Sequence, residues 1–206
     1  MSYGFPAMVD IVPEGKSGDA EVRHIEVSQL QSDMTSIRGG RNYVPAGRYA
    51  QLFVAGELAM SDTRHERLSN FEVVRMARGE VLIAGLGLGM ILHPILANTN
   101  VNRVTVVERS LGVIRLIRPT LPRTRKLRIV QADIFNWRPA KGVKFDCIYF
   151  DIWSSVSTDD LAEMAKLHQS FKFYKAPSGW MGSWERDELR AELRQQRRNP
   201  WGGYRR

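Results

Sequence analysis

The chain has 206 residues, 43% of them hydrophobic, and a formal net charge of +8. That is enough apolar material for a domain with a packed core, too much for a disordered chain, and a charge that favours anionic partners. Cys147 is the single cysteine, which excludes an internal disulfide and a cysteine-based zinc site, and His24, His65, His93 and His168 lack metal-ligand spacing. Residues 1–10 have no basic segment or long apolar run. The most apolar stretch, 81–97, contains three glycines, His93 and Pro94 and is short for a bilayer span. The expectation is a cytoplasmic protein with no membrane segment.

In chain order, residues 1–20 contain Pro6, Pro13, Gly15 and Gly18 and few apolar side chains, which predicts a poorly ordered lead-in. Residues 21–30 read as a strand marked by Val22 and Val27. Gly39, Gly40 and Pro45 mark a loop. Residues 48–54 and 57–60 flank Ala55-Gly56, a β-hairpin pattern, so 21–62 form an N-terminal β-hairpin region. Asp62 or Thr63 can cap a helix running to about Arg78, with Leu68, Phe71, Val74 and Met76 as buried positions. From Glu80 short apolar runs alternate with helical stretches. Strands are predicted at 81–84, 103–107, 127–130, 145–150 and 180–184, and helices near 90–97, 111–117, 159–173 and 185–198. This alternation predicts an α/β fold over 63–198: a doubly wound, Rossmann-like, mostly parallel sheet of about five strands with helices on both faces. Residues 199–206 form a tail.

The chemistry concentrates where the first of these strands meets Gly85-Leu-Gly87-Leu-Gly89. Glycines at that junction let the backbone turn sharply and approach a ligand closely. Glu108, nineteen residues after Gly89, closes the next strand, where a carboxylate can accept hydrogen bonds from both ribose hydroxyls. A dinucleotide fingerprint spaces its glycines G-x-G-x-x-G, whereas here the third glycine comes one residue early and position 90 is methionine. Gly-x-Gly-x-Gly resembles the first motif of class I S-adenosylmethionine-dependent methyltransferases.

The resemblance extends downstream. Val130-Gln-Ala-Asp133 is similar to the family's third-strand motif, which implies that Asp133 contacts the adenine amino group. Residues 144–151, ending in Asp151, resemble its fourth-strand motif, and Lys175-Ala-Pro-Ser-Gly179 resembles its turn into strand five. Residues 49–58 resemble the hairpin preceding the sheet in spermidine synthases. The family therefore implies S-adenosylmethionine bound by Gly85, Gly87, Gly89, Glu108 and Asp133, with Asp151 as the catalytic residue. The activity implied is methyl transfer to an unknown acceptor. Aminopropyl transfer from the decarboxylated cofactor is the alternative, and a non-catalytic module that keeps the fold is a third. Asp151 matches the first acid of the aminopropyltransferase D-S-x-D-P run; the next acid is missing, with Trp153 and Ser154 in that neighbourhood.

Each position also has a plainer reading. Glu108 can pair with Arg109 or Arg103 at a solvated strand end. Asp133 can cap the turn around Ile134 and Phe135. Asp151 can cap a short turn, Trp153 can lie in the core or stack on a planar ligand, and Asp146 reads as structural. His65 and Glu66 read as part of a surface helix, in a region that shapes the pocket of spermidine synthase-like enzymes. The basic run Arg115, Arg118, Arg123, Arg125, Lys126 and Arg128 reads as a solvated face at the amino end of the sheet, with nucleic acid as its alternative partner. The arginines from Arg186 to Arg206 are diluted by acids as far as Glu192. The usual C-terminal strand pair is not predicted, so residues 180–184 lie at a sheet edge, and a homodimer is expected to cover it.

Overall fold

The computed structural model describes residues 4–38 and 43–198. Strands β1 (Gly15–Ser17), β2 (Ala20–Val27), β3 (Gly47–Val54) and β4 (Glu57–Ser61) form an antiparallel sheet in that order. Ala55 and Gly56 both have positive φ, 52° and 87°. This is the turn geometry whose twist matches a hairpin. The predicted hairpin is therefore present, as half of a four-stranded sheet.

Around it the structure corrects several expectations. Residues 4–20 are not a poorly ordered lead-in: Phe5, Met8, Val9 and Val12 are buried, and Met8–Asp10 form a 3-10 turn. Asp62 does not cap a helix. Its fully buried carboxylate accepts the Met8 amide at 2.6 Å and the Ala50 amide at 2.8 Å, which ties the lead-in to β3. The strand predicted over 21–30 stops at Val27, and helix α1 (Gln29–Arg38) follows. The single helix predicted over 63–78 breaks at Asn70 into α2 (Arg64–Ser69) and α3 (Phe71–Met76). Its buried positions are Asn70, Val73 and Ala77, the predicted Phe71 and Val74 pack half-buried against the core, and Leu68 is exposed.

The second sheet contains β5 (Gly79–Ala84), β6 (Val101–Glu108), β7 (Leu127–Gln131), β8 (Phe145–Phe150) and β9 (Lys175–Ser183). All pairs are parallel, in the order β7-β6-β5-β8-β9. Helices α4 (Leu92–Ala97), α5 (Leu111–Ile117), α6 (Leu161–Phe171) and α7 (Arg186–Arg198) complete the domain. Alternation along β5 feeds two cores. Val81 and Ile83 pack with α4 and α5, and Leu82 and Ala84 pack with Leu167 and Phe171 of α6. A strand buried on both faces reads as a continuous apolar run, which is why the doubly wound fold was visible in the sequence.

The antiparallel sheet docks on α5. Ser110 caps that helix through the Val113 amide and also donates to Asp19 at 2.7 Å. A Cβ at Gly112 would collide with the Ser17 carbonyl, so the close approach of β1 needs that glycine. Strand β9 starts earlier than predicted, at Lys175, but residues 176–179 bulge out of the ladder before Trp180: Phe145 pairs with Lys175 and Cys147 with Trp180. It is an edge strand, but its tryptophan and the one after it turn inward. Trp184 is buried and donates to Ser69 Oγ at 2.9 Å, and Trp180 stacks on Tyr149. Among the described residues no helix is long and apolar enough to cross a membrane.

Candidate active site

The chain enters the parallel sheet at β5, runs outward to β7 and crosses back to β8. The connections therefore diverge between the carboxyl ends of β5 and β8, where a doubly wound sheet opens a crevice. A cleft of 460 Å³ lies there, within the range of small-molecule sites. Gly85 follows β5 with φ +95°, and a Cβ on it would run into the Asp151 carbonyl oxygen. The Asp151 amide donates to the Ala84 carbonyl at 2.8 Å. Only glycine lets the two strand ends approach this closely.

The glycine loop divides in two. Gly85 and Gly87 line the cleft, and Gly87, at φ +52°, leaves room for Met60 of β4, whose sulfur lies 3.1 Å from the Leu88 amide. Gly89 does not line it. A Cβ there would press on Leu121 and Ile117, so this glycine permits core packing. Glu108 lines the cleft from the end of β6. Its carboxylate accepts the Leu86 amide at 2.8 Å and the Ser110 amide at 2.7 Å, and forms no ion pair with Arg103 or Arg109. Two carboxylate oxygens offer about four acceptor sites, so capacity remains for hydroxyls. Burial raises the Glu108 carboxyl above its ordinary value, against the pull of the Ser110, Leu86 and Arg109 amides. Asp133 lines the cleft as well, and its Oδ1 accepts the Phe135 amide at 2.9 Å. It thus does what the turn-capping reading required while still bordering the cleft.

Asp151 stands at the end of β8, and burial pushes its carboxyl up to about 7. Beside it is a carboxyl that the sequence reading placed on a surface helix. Glu66 of α2 lines the same cleft. Burial lifts it to about 8, the charges of Asp151 and then Glu185 add to this, and the Ser61 amide works in the opposite direction. The break at Asn70 sets this pair in place. Asn70 donates to the Glu66 carbonyl at 3.1 Å and accepts from the Tyr149 hydroxyl at 3.0 Å, two residues before Asp151. His65, next in the helix, pairs with Glu185 at 2.8 Å. No periodicity marks Glu66, which sits in the polar run Arg64-His-Glu-Arg67; its position just before the first sheet strand was the available signal.

Trp153 is both: half-buried, it packs against the core around Leu167 and Phe171 and forms a wall of the cleft, and its indole donates to Glu163 at 2.9 Å. Asp146 is structural as expected, accepting the Glu80 amide at 2.9 Å. The lining is acidic: Glu57, Glu66, Glu108, Asp133, Asp151 and Glu163 face one arginine, Arg109, in a chain of net charge +8.

No protein-family model matches the chain. It is 31% identical over 137 residues to polyamine aminopropyltransferase 1 of Streptomyces coelicolor, across 60% of this chain and 25% of that protein. The spermidine synthase structure from Thermotoga maritima superposes with a TM-score of 0.52 at 17% identity, covering 84% of this chain and 55% of that one. A spermidine synthase in complex with the transition-state analogue AdoDATO gives 0.53 at 16% identity, covering 83% and 56%. The chain thus spans a quarter of the curated relative and just over half of these structures. Over more than four fifths of its length the chain shares the fold of these spermidine synthase structures.

Proposed function

We propose that the cleft binds S-adenosylmethionine and that the protein transfers the cofactor's methyl group to an amine. The observation that carries this reading is the acidic cleft in which Glu66 and Asp151 stand together beside the glycine loop. When bound, the cofactor supplies a sulfonium-activated alkyl group whose sulfur leaves as a neutral thioether. The residues present suit it: Gly85 and Gly87 allow close backbone approach, Glu108 has acceptor capacity for ribose hydroxyls, and Asp133 and Trp153 border the space for a base. An amine acceptor arrives mostly protonated at neutral pH. At neutral pH Asp151, with a value near 7, is partly ionised and suited to take that proton, because an ideal base titrates near the working pH, while Glu66, near 8, is mostly protonated beside it. The same acidity disfavours a polyanionic acceptor in the cleft.

Aminopropyl transfer from decarboxylated S-adenosylmethionine is the second reading. Glu66 favours it, since it supplies a second carboxyl beside Asp151 that the strand-four run lacks. The deciding experiment incubates the chain with each donor and a panel of mono- and polyamines, and weighs the products. Gain of a methyl group supports the first reading and gain of an aminopropyl group the second. Tight binding of S-adenosylhomocysteine with no product from any amine would overturn both in favour of a non-catalytic module.

A further inference from the structure

We propose that the amino-terminal end of the parallel sheet, opposite the cleft, binds the phosphate backbone of double-stranded nucleic acid. Between residues 98 and 132 the chain has eight lysines and arginines and a single acid, Glu108. That acid and Arg109 both line the cleft at the other end of β6, which leaves seven cations and no acid in the rest of the segment. Helix α5 runs back from the carboxyl end of β6, so its last turn and the following loop deliver their cations to the amino end of the sheet. Arg115, Arg118, Arg123, Arg125 and Arg128 are all exposed, as is Arg103 at the start of β6. The Val104 amide donates to the Lys126 carbonyl at 2.8 Å, which holds Arg103 beside the loop entering β7. None of these six arginines forms an ion pair among the described residues.

The two ends of the molecule act independently. An eight-residue strand spans about 26 Å, about three Debye lengths at physiological salt, so the acidic cleft does not neutralise the basic end. Arg128 alone could be explained as a charge that blunts the edge strand β7. The arginines of the loop and of the helix end have no edge to protect. Arginine predominates over lysine, which suits paired hydrogen bonds to phosphate oxygens. Among the described residues no large apolar side chain between 112 and 132 is exposed. That leaves no platform for stacking single-stranded bases and no wedge for a bilayer, but it suits reading of a duplex backbone.

The test is fluorescence anisotropy of the full chain with labelled duplexes of about 20 base pairs, one DNA and one RNA, and with single strands of the same sequence. The expected result is sequence-independent duplex binding whose logarithm falls with log salt at a slope of about −3 to −5 between about 50 and 200 mM. Combined Arg123→Glu, Arg125→Glu and Arg128→Glu should weaken binding at least tenfold with an unchanged thermal transition. Arg125→Ala alone should reduce the slope by about one, which keeps the test open if the triple variant does not fold. Binding by either duplex supports the proposal and says which one is preferred. The proposal is overturned by no duplex binding at low salt, by duplex binding indifferent to both variants, by tighter binding of the single strands, or by capture on phosphatidylserine-containing vesicles without duplex binding.

Discussion

Replacing Glu66 by glutamine keeps its volume and removes its titration. In the folded chain this carboxyl holds its proton to about pH 8, whereas unfolded it lets go near 4.5. Between those values the folded state binds more protons than the unfolded one, so stability falls as pH rises, by about 1.4 kcal/mol per unit for one group. From pH 5 to pH 8 that amounts to about 4 kcal/mol, a large fraction of the stability of an ordinary domain. At pH 5 the variant should equal the wild type or lie about 1 kcal/mol below it, because the buried amide needs partners that a protonated carboxyl does not. At pH 8 it should be more stable by about 3 kcal/mol. His168 complicates the raw curves. Burial, reinforced by Arg186 and Arg190, lowers it to about 4, so its contribution rises with pH between about 4 and its unfolded value of 6.5. Both proteins share that contribution, and it cancels in the difference. The assay is urea unfolding followed by tryptophan fluorescence at unit pH steps from 5 to 8. A wild-type-minus-variant difference that stays flat across this window would refute the assignment of Glu66 to a buried, raised carboxyl.

Glu108→Ala should weaken S-adenosylhomocysteine binding roughly ten- to a hundredfold, since hydrogen bonds to a charged group contribute about 1.5–3 kcal/mol; unchanged affinity in calorimetry of a folded variant removes Glu108 from the site. Asp151→Asn should lower turnover about a hundredfold or more and leave cofactor affinity much less changed, and equal loss of both in paired kinetic and binding assays would recast Asp151 as a cofactor ligand. Gly85→Ala should lower the thermal transition sharply and abolish cofactor binding, because its Cβ meets the Asp151 carbonyl at a positive φ; a wild-type transition would show that the strand ends have room to part. Among the described residues strand β9 leaves one backbone edge of the sheet unpaired, and we expect a twofold partner to cover it. Light scattering that returns 23.5 kDa across micromolar concentrations would refute the dimer.

Residues 80–150 were legible because the central strands β5, β6 and β8 are buried on both faces and each loop carries its own punctuation. Val81 to Ala84 running into glycines, and Glu108 closing β6, are local signals, and the parallel topology that follows from them sends both to the same end of the sheet. The lead-in was misread because its order comes from Asp62, more than fifty residues away, whose carboxylate captures the Met8 amide. Gly89 shows a related limit of local signals: a positive φ is what the glycine pattern reports, and it does not say that a Cβ there would press on Leu121 and Ile117.

The sequence by itself determined the strand-glycine-helix unit, the acid at the end of the second strand, the five-strand alternation and the crowding of arginines before β7, because these are set by residue type and spacing along the chain. Only the tertiary structure decided that Glu66 stands beside Asp151. Their encounter depends on a helix break at Asn70 and on Tyr149 reaching across to it from β8. Burial raises both carboxyls, and the charge of Asp151 adds to it at Glu66; burial and a neighbouring charge are properties of a place in the fold that no residue carries alone.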